Sequence, residues 1–236
     1  MSKPAVSSAR VRDVIASLKQ MSTKKTLDSL PRYGIITDKA MGVSVGDIRD
    51  LGMRLGRDHE LAAALWDTGW YEARMLTSFV DDPARVTPAQ MDRWCRDFDN
   101  WGICDTLCFH LFDKTPHAWS RIDKWHDARG EFVKRAAFAL LASVALHDKK
   151  LPDTPFVESL VLIERAATDD RNFVKKGVSW ALRLIGRRSQ GLNTEAIALS
   201  RRLAGAEEPS ARWIGKGALK ELTSALVARR LAARRP

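Results

Sequence analysis

Three similar segments in the second half of the sequence constrain the fold most, because they recur at a fixed spacing. They read VKRAAFALL, VKKGVSWAL and GKGALKELT. Their first lysines, Lys134, Lys175 and Lys216, are 41 residues apart each time. Each segment has a basic start, then small residues and an apolar stripe, and each follows another predicted helix. The second half is therefore predicted to consist of repeated helix pairs.

A period near 40 residues with two helices per unit is typical of HEAT and armadillo repeats. One such pair cannot bury its own apolar face, so neighbouring pairs stack into a solenoid. We predict an all-α, HEAT-like helical-repeat solenoid. Because a basic residue recurs at one point of the repeat, we expect a curved shape with a basic concave face. The alternative is an irregular helical bundle.

Helix signals also fill the rest of the chain, whereas strand signals are nearly absent. Ser44, with Asp47 three residues later, predicts the start of one helix by a capping box. The other predicted helices cover residues 5–21, 60–66, 70–80, 88–98, 101–112, 116–126, 131–147, 155–166, 171–187, 194–203 and 209–231. We predict a single domain over residues 1–236, with residues 1–10 and 232–236 as flexible ends.

The charge of the chain favours a polyanionic partner. Lysine and arginine number 39 against 29 aspartate and glutamate, which gives a net charge of +10. Such a field attracts nucleic acid first and acidic membranes second. No run of 18 apolar residues predicts a membrane span, and the first residues lack the apolar core of a signal peptide. We therefore expect a cytoplasmic protein.

The cysteines and histidines predict no metal site. Cys95, Cys104 and Cys108 contain no CxxC pair, so neither a disulfide framework nor a structural zinc site is expected. The five histidines lack the spacing of metal ligands. We expect no metal and no small-molecule cofactor.

Three short stretches combine aromatic, acidic and basic residues at fixed spacings. FDNWGICDTLC, from Phe98, has a tryptophan followed four residues later by an aspartate. EFVKRAAFALL, from Glu131, has an arginine inside a repeat helix. NFVKKGVSWALRLIG, from Asn172, has a tryptophan followed three residues later by an arginine. In their order and distances, together with the repeat period, these stretches resemble the AlkD-like DNA alkylation repair family, which comprises HEAT-repeat DNA glycosylases.

The resemblance implies removal of cationic N3- or N7-alkylated purines from double-stranded DNA. By position, Trp101 and Trp180 are similar to the family's active-site tryptophans, and Asp105 to its catalytic aspartate. Arg135 and Arg183 are similar to its backbone-binding arginines. The basic repeat starts add Lys134, Lys175, Lys176 and Lys216 as expected DNA contacts. The family's pattern has an acidic residue directly after the first tryptophan, where this chain has Gly102.

The implied chemistry suits these residue types. An alkylated purine already carries positive charge and leaves readily, so the remaining demand is stabilisation of an oxocarbenium-like sugar, as in glycoside hydrolysis. Asp105 would stabilise that cation and orient water. Trp101 and Trp180 would face the charged nucleotide through cation–π attraction. Packing or interface roles are expected for the other tryptophans, Trp66, Trp70, Trp94, Trp119, Trp125 and Trp213.

Two other functions stay open. Related proteins bind branched or distorted DNA without excising a base, and many HEAT solenoids are protein-interaction scaffolds. For the enzyme we expect a monomer whose partner is double-stranded DNA with alkylated bases. The basic tail, with Arg229, Arg230, Arg234 and Arg235, either touches phosphates or stabilises the end of its helix.

Overall fold

The computed structural model describes residues 8–233, and within that range every regular element is helical. The α-helices are α1 (Ser8–Gln20), α2 (Lys24–Ser29), α3 (Val45–Leu55), α4 (His59–Asp67), α5 (Tyr71–Val80), α6 (Pro88–Arg96), α7 (Trp101–His110), α8 (Ala118–Trp125), α9 (Glu131–His147), α10 (Thr154–Ala166), α11 (Asn172–Gly186), α12 (Gln190–Ala204), α13 (Pro209–Leu222) and α14 (Ala225–Ala232). Short 3₁₀ helices cover Leu30–Tyr33 and Phe112–Lys114. The all-α prediction is confirmed.

The chain divides into two compact units, Met1–His117 and Ala118–Pro236. In the first unit, α3, α4 and α7 all pack against α5. Its core contains the stacked indoles of Trp66 and Trp94, whose ring centroids are 4.4 Å apart. The single domain over residues 1–236 stays a prediction.

The second unit consists of stacked helix pairs, as the 41-residue spacing predicts. The pairs are α8 with α9, α10 with α11, and α12 with α13. One member of each pair packs on its counterpart in the next, so α9 contacts α11 and α11 contacts α13. The other members, α10 and α12, also contact each other. Each pair thus covers the apolar face that its neighbour cannot bury alone.

Helix α9 lies at the centre of the second unit. Every residue from Arg135 to Ala145 is buried, because α8 and α11 pack along it. Its alanines let the neighbouring backbones approach. Arg188, buried at the end of α11, donates hydrogen bonds to the carbonyls of Ala145, Asp148 and Leu151, and its guanidinium lies 4.3 Å from the Phe156 ring centroid. This side chain therefore ties the α9–α10 loop to the next repeat.

Several helix boundaries differ from the prediction. The predicted helix over residues 209–231 is wrong, because the chain breaks into α13 and α14 where Ser224 caps the amide of Val227. The short helix α2, capped by Thr23, was not predicted. Ser44 does cap α3, with its hydroxyl accepting from the amide of Asp47.

The predicted flexible ends fall mostly outside the described residues. Residues 1–7 and 234–236, including Arg234 and Arg235 of the basic tail, lie outside them. Within them, residues 8–10 already form the first turn of α1, and Ala232 is the last residue of α14.

Two glycines of α13 have opposite surroundings. A Cβ atom at Gly215 would lie 2.3 Å from the amide nitrogen of Ala204, so this glycine permits the close approach of α12 and α13. A Cβ atom at the exposed Gly217 would meet nothing within 4 Å. A glycine inside a helix costs stability relative to alanine. Packing therefore requires Gly215 but not Gly217.

We expect Gly215→Ala and Gly217→Ala to change stability in opposite directions. Gly215→Ala forces two backbones apart and lowers the free energy of unfolding by about 2 kcal/mol. Gly217→Ala adds no contact but favours the helix, and raises that free energy by about 1 kcal/mol. Urea denaturation of both variants and the wild type measures these changes. Loss of stability in Gly217→Ala would contradict the open surroundings of that residue.

Candidate nucleic-acid interface

In the first unit, the start of α7 positions Trp101 and Asp105. Asn100 caps the helix, with its side-chain oxygen accepting from the amide of Ile103 at 3.0 Å. Trp101 is the first helical residue and Asp105 the fifth, so the two side chains share one helix face. Both are half-buried. The spacing predicted from the sequence therefore brings this pair together at the surface of the unit.

The indole of Trp101 is held by the segment that precedes α3. Its Nε1 donates to the carbonyl oxygen of Tyr33 at 2.8 Å. Gly34, with φ of 71°, turns the chain there, and Ile35 next to it is buried. Rotation of the ring about its side-chain bonds would break this hydrogen bond. The bond therefore orients the indole before any ligand binds.

The surroundings of Gly102 explain why this chain has a glycine where the family's pattern has an acidic residue after the tryptophan. A Cβ atom at Gly102 would lie 2.5 Å from the hydroxyl oxygen of Tyr71 and 3.3 Å from Cδ1 of Ile35. Burial raises the pKa of Tyr71, so this phenol stays neutral. The start of α7 therefore packs directly on α5, and a side chain at residue 102 has no room.

In the second unit, Arg135 is part of the core rather than of an open surface. The residue is 6% exposed. Its Nη1 donates to the carbonyl oxygen of Phe173 at 2.7 Å, and a Cβ atom at Gly177 would lie 3.4 Å from its Cγ. Arg135 thereby joins α9 to the first turn of α11. A phosphate would have to compete with this internal contact.

Lys134 belongs to an ion-pair network at the start of α11. Its Nζ lies 3.1 Å from Oδ2 of Asp169, and Nη2 of Arg171 lies 2.6 Å from the same oxygen. Arg171 also donates to the carbonyl oxygen of Arg129 at 2.6 Å. Hydrogen bonds from Arg171, and then from Lys134, lower the pKa of Asp169 to about 2. The network thus connects two repeats through a carboxylate that stays charged.

Trp180 and Arg183 lie on the same face of α11, three residues apart, and both are half-buried. Arg183 donates through Nη1 to Glu221 of α13 at 2.9 Å and through Nε to the carbonyl of Ser179 at 3.1 Å. Arg187 contacts the other oxygen of Glu221 at 3.3 Å. Nη2 of Arg183 takes part in neither of these contacts.

The three other predicted cations are nearer to solvent. Lys176 and Lys216 are exposed, and Lys175 is half-buried with its Nζ 5.3 Å from the ring centroid of Trp213. The 41-residue spacing does not place them alike, because Lys134 and Lys175 are the fourth residues of their helices and Lys216 is the eighth of α13. Arg212 is the fourth residue of α13.

The expected packing roles hold for some tryptophans and not for Trp213. Trp66, Trp94 and Trp125 are buried, and Trp70 and Trp119 are half-buried. Trp213 is 49% exposed, which excludes a packing role in the core, and an interface role for it stays a prediction. The signal in the sequence is its spacing: lysines follow it at three and seven residues, whereas the buried residues of α13 fall on the opposite face. Lys220 lies on the same exposed face as Trp213, and the sequence analysis did not include it among the candidate DNA contacts.

The fold and these side chains define a class of helical-repeat protein with cations in the first turns of α9, α11 and α13. A family model for the DNA alkylation repair enzymes matches residues 14–222. The chain belongs to the DNA alkylation repair enzyme family.

One solved structure shares the fold over nearly the whole chain. It is described as representing "a new family of proteins related to the HEAT-like repeat DNA glycosylases with affinity for branched DNA structures". The TM-score is 0.77 at 16% sequence identity, and the match covers 94% of this chain and 95% of that one. No curated protein matches the chain. The predicted HEAT-like fold is confirmed, whereas the curvature and the basic concave face stay predictions.

Residues 8–233 contain neither a membrane-spanning helix nor a cluster of metal ligands. No helix in that range has the length and apolarity needed to cross a membrane. The same residues contain no group of three or more histidine, cysteine, aspartate or glutamate side chains that could hold a metal ion.

We expect Asp169→Asn to lower the free energy of unfolding at neutral pH but not in strong acid. The pKa of Asp169 lies below its ordinary value of 3.8, so the carboxylate stabilises the fold above about pH 4 and ceases to do so as the pH falls towards 2. At neutral pH the variant loses charged hydrogen bonds and about 1–3 kcal/mol of unfolding free energy. Denaturant titrations of both proteins at several pH values measure the difference. A difference that stays constant down to the lowest pH would contradict the assignment.

Proposed function

We propose that this protein is a DNA glycosylase that excises cationic N3- or N7-alkylated purines from duplex DNA. The observation that carries the proposal is the pair on α7: Trp101 and Asp105 share one face, and both reach solvent. Membership of the DNA alkylation repair enzyme family supports it. We further propose that the protein acts in the cytoplasm, as a monomer and without a cofactor.

The proposed reaction breaks the bond between C1′ of the deoxyribose and the alkylated purine, which leaves as the neutral base. As this bond breaks, positive charge develops on the sugar, and the Asp105 carboxylate stabilises that charge. Asp105 also accepts a proton from the water that attacks C1′, so that water supplies the new hydroxyl group. Trp101 presents an indole already oriented by Tyr33, and its ring attracts the cationic nucleotide. Trp180 is proposed to do the same from α11.

The cations of the second unit are proposed to hold DNA phosphates. They fall into two ranks, according to whether a phosphate must compete with an existing contact. Lys176 and Lys216 are exposed, so their ammonium groups reach a phosphate without breaking an ion pair that holds the fold. Arg183 offers Nη2, which neither of its contacts to Glu221 and Ser179 uses. Lys134, Lys175 and Arg135 form the second rank, because a phosphate competes there with Asp169, with the Trp213 ring and with the Phe173 carbonyl.

We expect Asp105→Asn to abolish base release while DNA binding persists. The amide is nearly isosteric but cannot stabilise the sugar cation, so the single-turnover rate of 7-methylguanine release should fall on the order of 100-fold or more. Release is measured by chromatography from methylated duplex DNA, and binding by gel shift on the same duplex.

The matched control is Asp99→Asn, which removes an exposed carboxylate one residue before the cap of α7 and keeps an oxygen that can accept the hydrogen bond from Nδ2 of Asn100. Its release rate should stay within about twofold of the wild type, since Asp99 does not share the face of Trp101 and Asp105. The enzymatic proposal fails if the wild-type protein, in excess over the lesion, releases no base. It also fails if Asp105→Asn and Asp99→Asn behave alike.

We expect Lys176→Gln and Lys216→Gln to weaken DNA binding without sequence preference. Each variant that loses one phosphate contact should lower the slope of log K against log salt by about 1. Lys150→Gln is the control: the same charge is removed from an exposed lysine in the loop after α9, and its slope should not change. Equal slopes for all four proteins would show that the two lysines do not contact phosphates.

A second candidate function is binding of branched DNA without excision. The observation that favours it is the description of the structural relative, which has affinity for branched DNA structures. A gel-shift comparison of a four-way junction, a paired duplex and a methylated duplex separates the two functions. A clear preference for the junction, together with no base release, would support the binder. No salt-dependent affinity for any of the three would leave the protein-scaffold hypothesis.

A further inference from the structure

An exposed indole on α13 has no role in the proposed excision. Trp213 is the fifth residue of the helix, and 49% of its surface is in solvent. The buried residues of α13 are Ser210, Ala211, Ile214, Gly215, Ala218 and Leu222, which lie on the other side. The core of the unit does not use this ring, so one face of it is available to a ligand.

The ring is held in place by a cation from the neighbouring repeat. Nζ of Lys175, on α11, lies 5.3 Å from the centroid of the Trp213 ring. This distance is within the range of cation–π attraction. Because α11 and α13 pack together, the contact places a positive charge over one face of the indole. A base that stacks on this ring would have its phosphate near an ammonium group.

The stripe of α13 that follows Trp213 is basic and open. Lys216 and Lys220 lie three and seven residues after it, on the same face, and both are exposed. Between them lies Gly217, where a Cβ atom would meet nothing within 4 Å. The space one turn beyond the indole is therefore empty, although an alanine there would favour the helix. Lys176 adds an exposed charge from α11.

The acidic residues nearest in sequence leave this stripe cationic. Glu207 and Glu208 precede the helix, at its N-terminal end, on the far side of Trp213 from Lys216. Glu221 is engaged by Arg183 and Arg187. The charges beside the open space are thus those of Lys175, Lys216 and Lys220.

We propose that Trp213, with Lys175, Lys216 and Lys220, forms a stacking site for an unpaired base of DNA. The proposal rests on the DNA binding proposed above but not on base excision. An aromatic ring flanked by cations that follow a backbone is the chemistry that binds single-stranded nucleic acid. In a fully paired duplex the bases are stacked on one another and offer no free face, so the site distinguishes unpaired from paired strands.

The test compares two fluorescein-labelled probes with the same number of phosphates, a fully paired duplex and a duplex two base pairs shorter that carries a four-base single-stranded bulge. Trp213→Ala should weaken binding to the bulged probe on the order of tenfold, since stacking of a base on one aromatic ring is worth between about fivefold and about a hundredfold in affinity. Binding to the paired duplex should change by less than about twofold. Trp213→Phe retains a ring and should recover most of the affinity.

Matched variants separate stacking from charge and from folding. Lys216→Gln should weaken binding to both probes by the same factor, because it removes a phosphate contact. Gly217→Leu, which fills the open space, should weaken binding to the bulged probe only. The melting temperature of each variant confirms that it folds, and an exposed position makes unfolding by Trp213→Ala unexpected.

Distinct outcomes overturn the inference. Equal losses on both probes with Trp213→Ala would mean that the indole acts only by placing Lys175. No loss on either would mean that the ring serves a protein partner or nothing. Release of 7-methylguanine from paired methylated DNA is measured in parallel. A normal rate with no Trp213 effect refutes the stacking site alone, whereas a Trp213 effect without any release refutes only the proposed excision.

Discussion

The second unit depends on the burial of the central part of α9 between its neighbours. Every residue of this helix from Arg135 to Ala145 is buried, because α8 and α11 pack against it. The burial supplies much of the apolar stabilisation of the unit, and it also dictates where polar groups go. Arg135 must find an internal acceptor in the Phe173 carbonyl. Arg188 must bind the carbonyls that the end of α9 and the following loop leave unpaired. The repeat is thus held by arginines as well as by apolar contact.

This use of cations changes what a basic composition means for the chain. The +10 net charge and the basic residues that recur in the repeated segments of α9, α11 and α13 predict a DNA-binding surface. In the structure, one part of that charge holds repeats together. Lys134 pairs with Asp169, Arg183 pairs with Glu221, and Arg135 donates to the carbonyl of Phe173. Another part, including Lys176 and Lys216, reaches solvent. The same residue types therefore either hold repeats together or stay exposed, and their neighbours decide which.

The two tryptophan environments illustrate the same division. Trp101 is oriented by a hydrogen bond from its own unit, next to Asp105 and over a glycine that lets α7 meet Tyr71. Trp213 is exposed and oriented by Lys175 of the neighbouring helix. The first arrangement resembles an active-site half, because a carboxylate accompanies the ring. The second has only cations, and this difference in charge is why we propose chemistry at the first and binding at the second.

The sequence by itself determined the all-α class, the paired helices of the second half and the common face of Trp101 and Asp105. These features follow from local periodicity, which a helix converts directly into faces. It also fixed the capping of α3 by Ser44. Only the tertiary structure decided that α13 ends before Ser224, that Arg135 is buried and that Trp213 is exposed. Lys216 follows Lys175 by the 41-residue spacing, yet Lys175 is the fourth residue of α11 whereas Lys216 is the eighth residue of α13. Burial and register depend on which helix packs against which, and this information lies in contacts between residues that are about 40 positions apart, beyond the reach of any local pattern.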